Sequence, residues 1–276
     1  MNEEPFFFEG EGVELFGVLH SPECPSHATA FVFCAPFGEE KMWAHRVYVS
    51  FARELCRSGH FVLRFDYRGT GDSDGDFEDG NLENYLADVR AALGVLKQRA
   101  DGAAGFGLLG LRFGALVAAV AAERLAEVSR LILWAPISRG ADYMQELLRV
   151  NLAMQMALYK EVRQGRDELV LAMRRGGTAN VDGYEIAGSM YDQVSTVDLL
   201  VGEKRADLDC LVVQLAPRRP PVVGKEFELL ASRYARGRTA VAAEDLFWKE
   251  IKPFYTHAPN VTAETLRWLE QVTHVA

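Results

Sequence analysis

Short apolar runs recur along the chain, and between them apolar residues fall at helical spacing. The runs at 28–35, 61–65, 105–109, 131–136, 210–215 and 239–243 are apolar on successive positions. That is the pattern of strands buried on both faces. Residues 6–10 and 13–20 are shorter, more mixed runs joined by Gly10-Glu11-Gly12, and they predict an antiparallel hairpin at the start. Helices are predicted over 48–58, ended by Gly59, and over 82–99, where Leu82, Tyr85, Leu86, Val89, Leu93 and Leu96 keep helical spacing. Further helices are predicted over the alanine-rich 116–124, then 227–235, and then 262–272 with Trp268 and Leu269 on the inner face. Strand alternates with helix, so the fold class is α/β, with a mostly parallel, doubly wound sheet. The six long apolar runs are expected to be adjacent, parallel strands.

The alternation stops between Arg139 and Arg205. This stretch predicts a long helix over 143–162 and a second over 166–175, closed by Gly176-Gly177. It interrupts the chain at the carboxyl edge of the sheet. The expected organisation is a core of 1–138 and 206–276, with 139–205 inserted as a helical cap. Met154 and Met156 on the long helix suit a ligand pocket, but packing is the commoner role of such residues.

The whole chain has 276 residues, enough for one such domain with its insertion. Its net charge of −9 argues against nucleic acid or an anionic membrane surface as the main partner. Cys24, Cys34, Cys56 and Cys210 are widely spaced and form no CxxC, as expected of reduced thiols in a cytoplasmic protein. The acidic start lacks the features of a signal peptide, and no apolar run reaches membrane-spanning length. The histidines form no metal-binding cluster, and no cofactor is expected. The oligomeric state stays open, a homodimer included.

The chemistry gathers at Leu108-Leu109-Gly110-Leu111-Arg112-Phe113-Gly114-Ala115, where an apolar run meets an alanine-rich helix through Gly-x-x-x-Gly. Strand, tight glycine-flanked turn and helix resemble the nucleophile elbow of the α/β-hydrolases. The 36–41 loop, Phe65-Asp66-Tyr67-Arg68-Gly69-Thr70-Gly71-Asp72-Ser73 and Trp134-Ala135-Pro136 match that superfamily in order and spacing. The Asp-Tyr-Arg-Gly-x-Gly-x-Ser run is similar to the serine aminopeptidase-like and lipase-like branches. Pro36-Phe37-Gly38-Glu39-Glu40 and Gly110–Ala115 resemble the exosortase (PEP-CTERM) system-associated hydrolases of bacterial exopolysaccharide loci. The superfamily resemblance implies an α/β-hydrolase fold, with a serine at the centre of the elbow in active members; this chain has Arg112 there, and the resemblance to the exosortase-associated group implies that its similar members share that arginine.

Acyl transfer needs a nucleophile, a base, an acid that orients the base, and an oxyanion hole. Arg112 stays protonated and is no nucleophile. It reads either as an anion clamp at a helix N-terminus or as half of an internal ion pair with Glu39 or Glu40. The acid should follow the strand ending at Leu215, but Ala216-Pro217-Arg218-Arg219-Pro220-Pro221 carries no carboxylate. Glu244 or Asp245 would have to substitute. The base should follow the last strand, where His257 is the candidate, although a lone surface histidine fits it better. The resemblance further implies oxyanion-hole N–H groups at Phe113 and at Phe37 or Gly38, which also suit a bound anion. Asp66, Asp72 and Ser73 are expected to shape a turn, and Cys34 to be an inert core thiol.

The expectation is therefore an α/β-hydrolase-fold protein with a degraded triad that binds an anionic small molecule or sugar beneath its cap. The alternatives are an active hydrolase of ester, thioester or peptide bonds with a non-standard site, and a scaffold that leaves the cleft unused.

Overall fold

A computed structural model describes residues 1–25, 29–202, 205–218, 220, 222–250 and 254–273. The sheet opens with the antiparallel pair β1 (Asn2–Glu9) and β2 (Glu14–Ser21). It continues with β3 (Thr29–Cys34), β4 (Phe61–Phe65), β5 (Gly105–Leu111), β6 (Val128–Trp134), β9 (Asp209–Ala216) and β10 (Arg236–Ala243). The spatial order is β1-β2-β4-β3-β5-β6-β9-β10. β4, β3, β5, β6, β9 and β10 run parallel to one another, as the apolar runs required, and β4 pairs antiparallel with β2. Ala28 of the first run lies outside the described residues.

β3 shows why the sheet is buried on both sides: its six residues are all buried. Phe31 and Phe33 join one core layer, packed under α1 (Glu39–Arg57) and α8 (Pro259–Thr273). Ala30, Val32 and Cys34 join the other, with α2 (Leu82–Arg99) and α3 (Phe113–Arg124). α3 is apolar nearly all round, so it is buried rather than amphipathic. Trp268 and Leu269 of α8 face inward, and Trp134 Nε1 donates to Thr265 at 3.0 Å. Helix α7 (Lys225–Ser232) precedes β10.

Several boundaries differ from expectation, two of them near the β5–α3 turn and in the insertion. The helix expected from residue 48 begins at Glu39, because Gly38 takes φ 52° and caps it, with Glu39 and Glu40 in the first turn. The long helix expected to reach residue 162 ends at Tyr159, where Lys160 takes a left-handed conformation.

The insertion is not wholly helical. Between β6 and β9 lie α4 (Gly140–Tyr159), α5 (Arg166–Arg174), the hairpin β7 (Thr178–Val181) and β8 (Tyr184–Ala187), and α6 (Gly188–Ser195). Asp182 (φ 50°) and Gly183 (φ 90°) make the hairpin turn. Polar residues stitch the insertion together: buried Asn151 donates to the Asn180 carbonyl, and Gln155 accepts the N–H groups of Arg163 and Gln164. Met156 is exposed and Met154 only half buried, its sulfur accepting the Asp182 N–H, so neither is core. No described helix is long and apolar enough to cross a membrane.

Candidate active-site cleft

The turn between β5 and α3 is fixed by its glycines. A Cβ at Gly110 would overlap the Gly114 carbonyl, and one at Gly114 would overlap the carbonyls of Cys34 and Ala35. Arg112 between them sits at φ 54°, ψ −118°, a conformation that side chains rarely adopt. Its N–H donates to the Trp134 carbonyl at 3.0 Å, and its own carbonyl accepts from Ala115 at 3.0 Å and Leu116 at 3.2 Å. The backbone is thus held from both sides, and the side chain projects over the carboxyl edge of the sheet.

There the guanidinium meets two carboxylates. Nε donates to Glu40 Oε1 at 3.0 Å and Nη2 to Glu146 Oε2 at 3.1 Å. The rings of Tyr143 and Trp248 lie 5.6 and 5.8 Å from its central carbon, within cation–π range. Tyr143 also donates its hydroxyl to Glu40 Oε2 at 3.3 Å. The Arg112 and Glu40 side chains are 15% and 18% exposed and Glu146 43%, so the inner pair is the drier one. Burial pushes the Glu40 carboxyl up against the pull of Arg112. Burial pulls the Arg112 guanidinium down, but Glu40 and Glu146 outweigh it and leave it raised.

Of the two expected partners, Glu40 is the one engaged. Glu39 is a helical step away, about 100° round the axis, and accepts from Trp43 Nε1 instead. Glu146 was missed by sequence reasoning, because it lies on the insertion and no local pattern ties it to Arg112.

The substitute acids and base do not assemble around Arg112. Glu244 is 5% exposed and accepts the N–H groups of Asn260 at 2.8 Å and Val261 at 3.2 Å, which fixes the start of α8. Burial raises its pKa despite those bonds. Asp245 accepts the Tyr255 hydroxyl at 2.6 Å. His257 is exposed beside Thr256 Oγ1 and lines a cavity with Arg46, Ser50 and Arg57 on the outer side of α1. The chain leaving β10 brings Trp248, not a histidine, to Arg112. In the loop after β9, Arg218 is exposed and Arg219 lies outside the described residues.

Other candidates serve structure. Ser73 Oγ donates to the Asp66 carbonyl at 2.7 Å and accepts the Phe16 N–H. Asp72 N–H donates to Asp66 Oδ2, and Asp66 pairs with Lys41 at 2.7 Å. Burial pushes the Cys34 thiol up to about 12, too high for a nucleophile near neutral pH.

Three cavities open around this cluster. The first, about 530 Å³, is lined by Phe37, Gly38 and Phe113 with Lys41, Phe77 and Tyr184. The second, about 580 Å³, shares Phe37 and Gly38 and carries Glu39, Glu40, Glu146, Asp182 and Glu250. The third, about 420 Å³, lies on the β6–β9 side and is the one lined by Arg112. Phe37 and Phe113 pack ring on ring, centroids 5.1 Å apart. The anion-binding group expected to act together is therefore divided: Phe37, Gly38 and Phe113 border one space and Arg112 another, because Glu40 and Tyr143 stand between.

Comparison with known proteins agrees with this architecture. The family described as "Serine aminopeptidase, S33" matches residues 42–181, half of the chain and the stretch that contains the β5–α3 turn. The protein RP471 of Rickettsia prowazekii is 30% identical over 131 residues, 47% of this chain and 54% of that one, so the chain spans about half the length of that relative. Among solved structures, Est1E of Butyrivibrio proteoclasticus with bound ferulic acid superposes with a TM-score of 0.71 at 17% identity, covering 96% of this chain and 98% of that one. The enol-lactonase of Burkholderia xenovorans LB400 gives 0.59 at 20% identity, covering 96% and 100%. At these identities the likeness establishes the fold. Sheet order, the glycine-flanked turn and the family match together place the chain among the α/β hydrolases, in the serine aminopeptidase (S33) family.

Proposed function

We propose that this chain binds a small anionic molecule or sugar in the cleft above the β5–α3 turn and does not hydrolyse it by serine chemistry. One observation carries the proposal: the turn that presents a nucleophile in this fold presents Arg112, tied to Glu40 and Glu146. A guanidinium has no usable lone pair, so covalent acyl transfer has no first step there. The insertion acts as a cap, since α4 supplies Tyr143 and Glu146 to the cleft. The resemblance of 36–40 and 110–115 to exosortase-associated hydrolases favours an acidic sugar or related metabolite as the ligand class.

Treatment with a fluorophosphonate probe, alongside a panel of short-chain esters, tests this. The expected outcome is no labelled residue and no turnover above the buffer rate. A labelled side chain in the cleft, or turnover lost in Arg112→Ala, overturns it in favour of an active hydrolase.

A further inference from the structure

The third cavity contains polar groups that the ion-paired cluster does not use. Trp248 is 4% exposed and Ser138 3% exposed, and both line it. Neither Trp248 Nε1 nor Ser138 Oγ has a hydrogen-bond partner among the described residues. A buried donor left unmet is costly, which makes two beside one cavity unusual. An indole N–H only donates, so what it lacks is an acceptor.

The charges around the cavity point the same way. Arg112, Arg139, Arg149 and Lys249 line it. Arg139 is engaged with Asp198 at 3.5 Å and Asp142 at 4.0 Å. Arg149 and Lys249 are exposed and have no ion pair among the described residues. Arg112 spends Nε and one Nη2 N–H on its carboxylates, and no described group accepts from Nη1. Asp142, Glu146 and Glu226 are also at the wall, but Asp142 is matched by Arg139 and Glu146 by Arg112. The second cavity, which Trp248 also borders, has three carboxylates that Arg112 does not match, Glu39, Asp182 and Glu250, against Lys249 and would repel an anion.

We infer that the third cavity binds the oxyanion, carboxylate or phosphate, of a small ligand, with Trp248 Nε1–H and Ser138 Oγ–H donating to it. Arg149 and Lys249 supply the positive potential, and Arg112 offers the N–H groups of Nη1. This rests on the ligand-binding proposal above and places the ligand's anionic end on the β6–β9 side of Arg112, away from Phe37 and Gly38. The cavity, at about 420 Å³, is of small-molecule size.

The four tryptophans, Trp43, Trp134, Trp248 and Trp268, give four indole N–H signals for ¹H–¹⁵N spectroscopy. Trp248→Phe identifies its own. Inorganic phosphate and, in parallel, acetate are titrated at constant ionic strength, so that screening stays fixed. The expected result is a saturable shift of the Trp248 signal with one or both anions, while Trp43, beside the Phe37–Gly38 loop, stays still. Ser138→Ala and Lys249→Ala should each weaken the anion about tenfold, the worth of a hydrogen bond or close charge to a charged group. Lys249 is exposed, so that variant keeps the test sound should Ser138→Ala fail to fold. A saturable shift of Trp43 without Trp248 overturns this site and leaves the ligand-binding proposal standing. No saturable shift with either anion also overturns the site. Fluorophosphonate labelling or ester turnover overturns the ligand-binding proposal instead.

Discussion

A non-glycine residue held at φ 54° costs about 1–3 kcal/mol, and at Arg112 that cost is met by an ion-paired side chain rather than by a nucleophile. The cluster holds two carboxylates against one guanidinium, and the more buried carboxylate, Glu40, is the one whose charge depends on Arg112. Arg112→Ala should therefore destabilise the protein by about 3–5 kcal/mol, read by urea unfolding near neutral pH. Glu40 has a raised pKa when folded, so burial of its neutral form favours folding below the unfolded carboxylate range, and that advantage is lost as pH rises through the folded value. The loss in Arg112→Ala should accordingly shrink toward pH 5 and grow toward pH 8. Adding Glu40→Gln should recover most of it. Glu146→Gln, at a more exposed carboxylate, should cost less than about 1 kcal/mol. An Arg112→Ala protein as stable as the parent at pH 8 would remove Glu40 as the structural partner.

At the level of elements, the six buried strands and α2 were legible because burial on both faces leaves an unbroken apolar run, and amphipathic burial leaves a 3.6-residue period. The glycines at 110 and 114 were legible because only a missing Cβ admits the carbonyls that touch them. What escaped lacks such a local signal. The strands of the β7–β8 hairpin are four residues each, and only Asp182-Gly183 marks the turn. Glu146 and Trp248 reach Arg112 from distant elements, and α1 starts early because a glycine cap followed by two acids reads equally as a loop.

The edge hairpin carries a prediction of its own. His20 on β2 is fully buried between Glu3 of β1, 3.2 Å away, and Arg64 of β4, whose Nε donates to its Nε2 at 3.0 Å. Burial first, and Arg64 second, lower its pKa to about 4. The unfolded histidine titrates near 6.5. Above that pH both states are neutral and the contribution is complete; as pH falls from about 6.5 to 4 the unfolded chain takes the proton first and stability drops, by up to about 3 kcal/mol. His20→Gln can keep both contacts without titrating. Its stability relative to the parent should therefore rise as pH falls through that window, measured as a series of urea midpoints. A difference that stays constant from pH 7 to 4.5 would show that His20 is not the titrating group.

Over the whole molecule, the parts of a hydrolase come from widely separated segments, and here they diverge in space. The residue at the turn comes from the end of β5, the orienting acid should follow β9, and the base should follow β10. After β9 comes Pro217 and, as far as Gly224, no carboxylate, Glu244 is committed to the start of α8, and His257 faces the far side of α1. Trp248 holds the place beside Arg112, its ring 5.8 Å from the guanidinium. Arg112→Ser would restore a hydroxyl to the turn but neither a base to take its proton nor an acid to hold that base. Loss of the orienting group alone costs about 10⁴ in rate in a complete triad, and here the base is displaced as well. The variant should thus hydrolyse activated esters at least about 10⁴-fold more slowly than an ordinary serine esterase, while Glu40 and Glu146, left without their cation, make it less stable than the parent. Steady-state kinetics on a short-chain ester, with a fluorophosphonate label to count active hydroxyls, decides it: esterase activity at ordinary rates from this single substitution would mean that a working base stands within reach of residue 112.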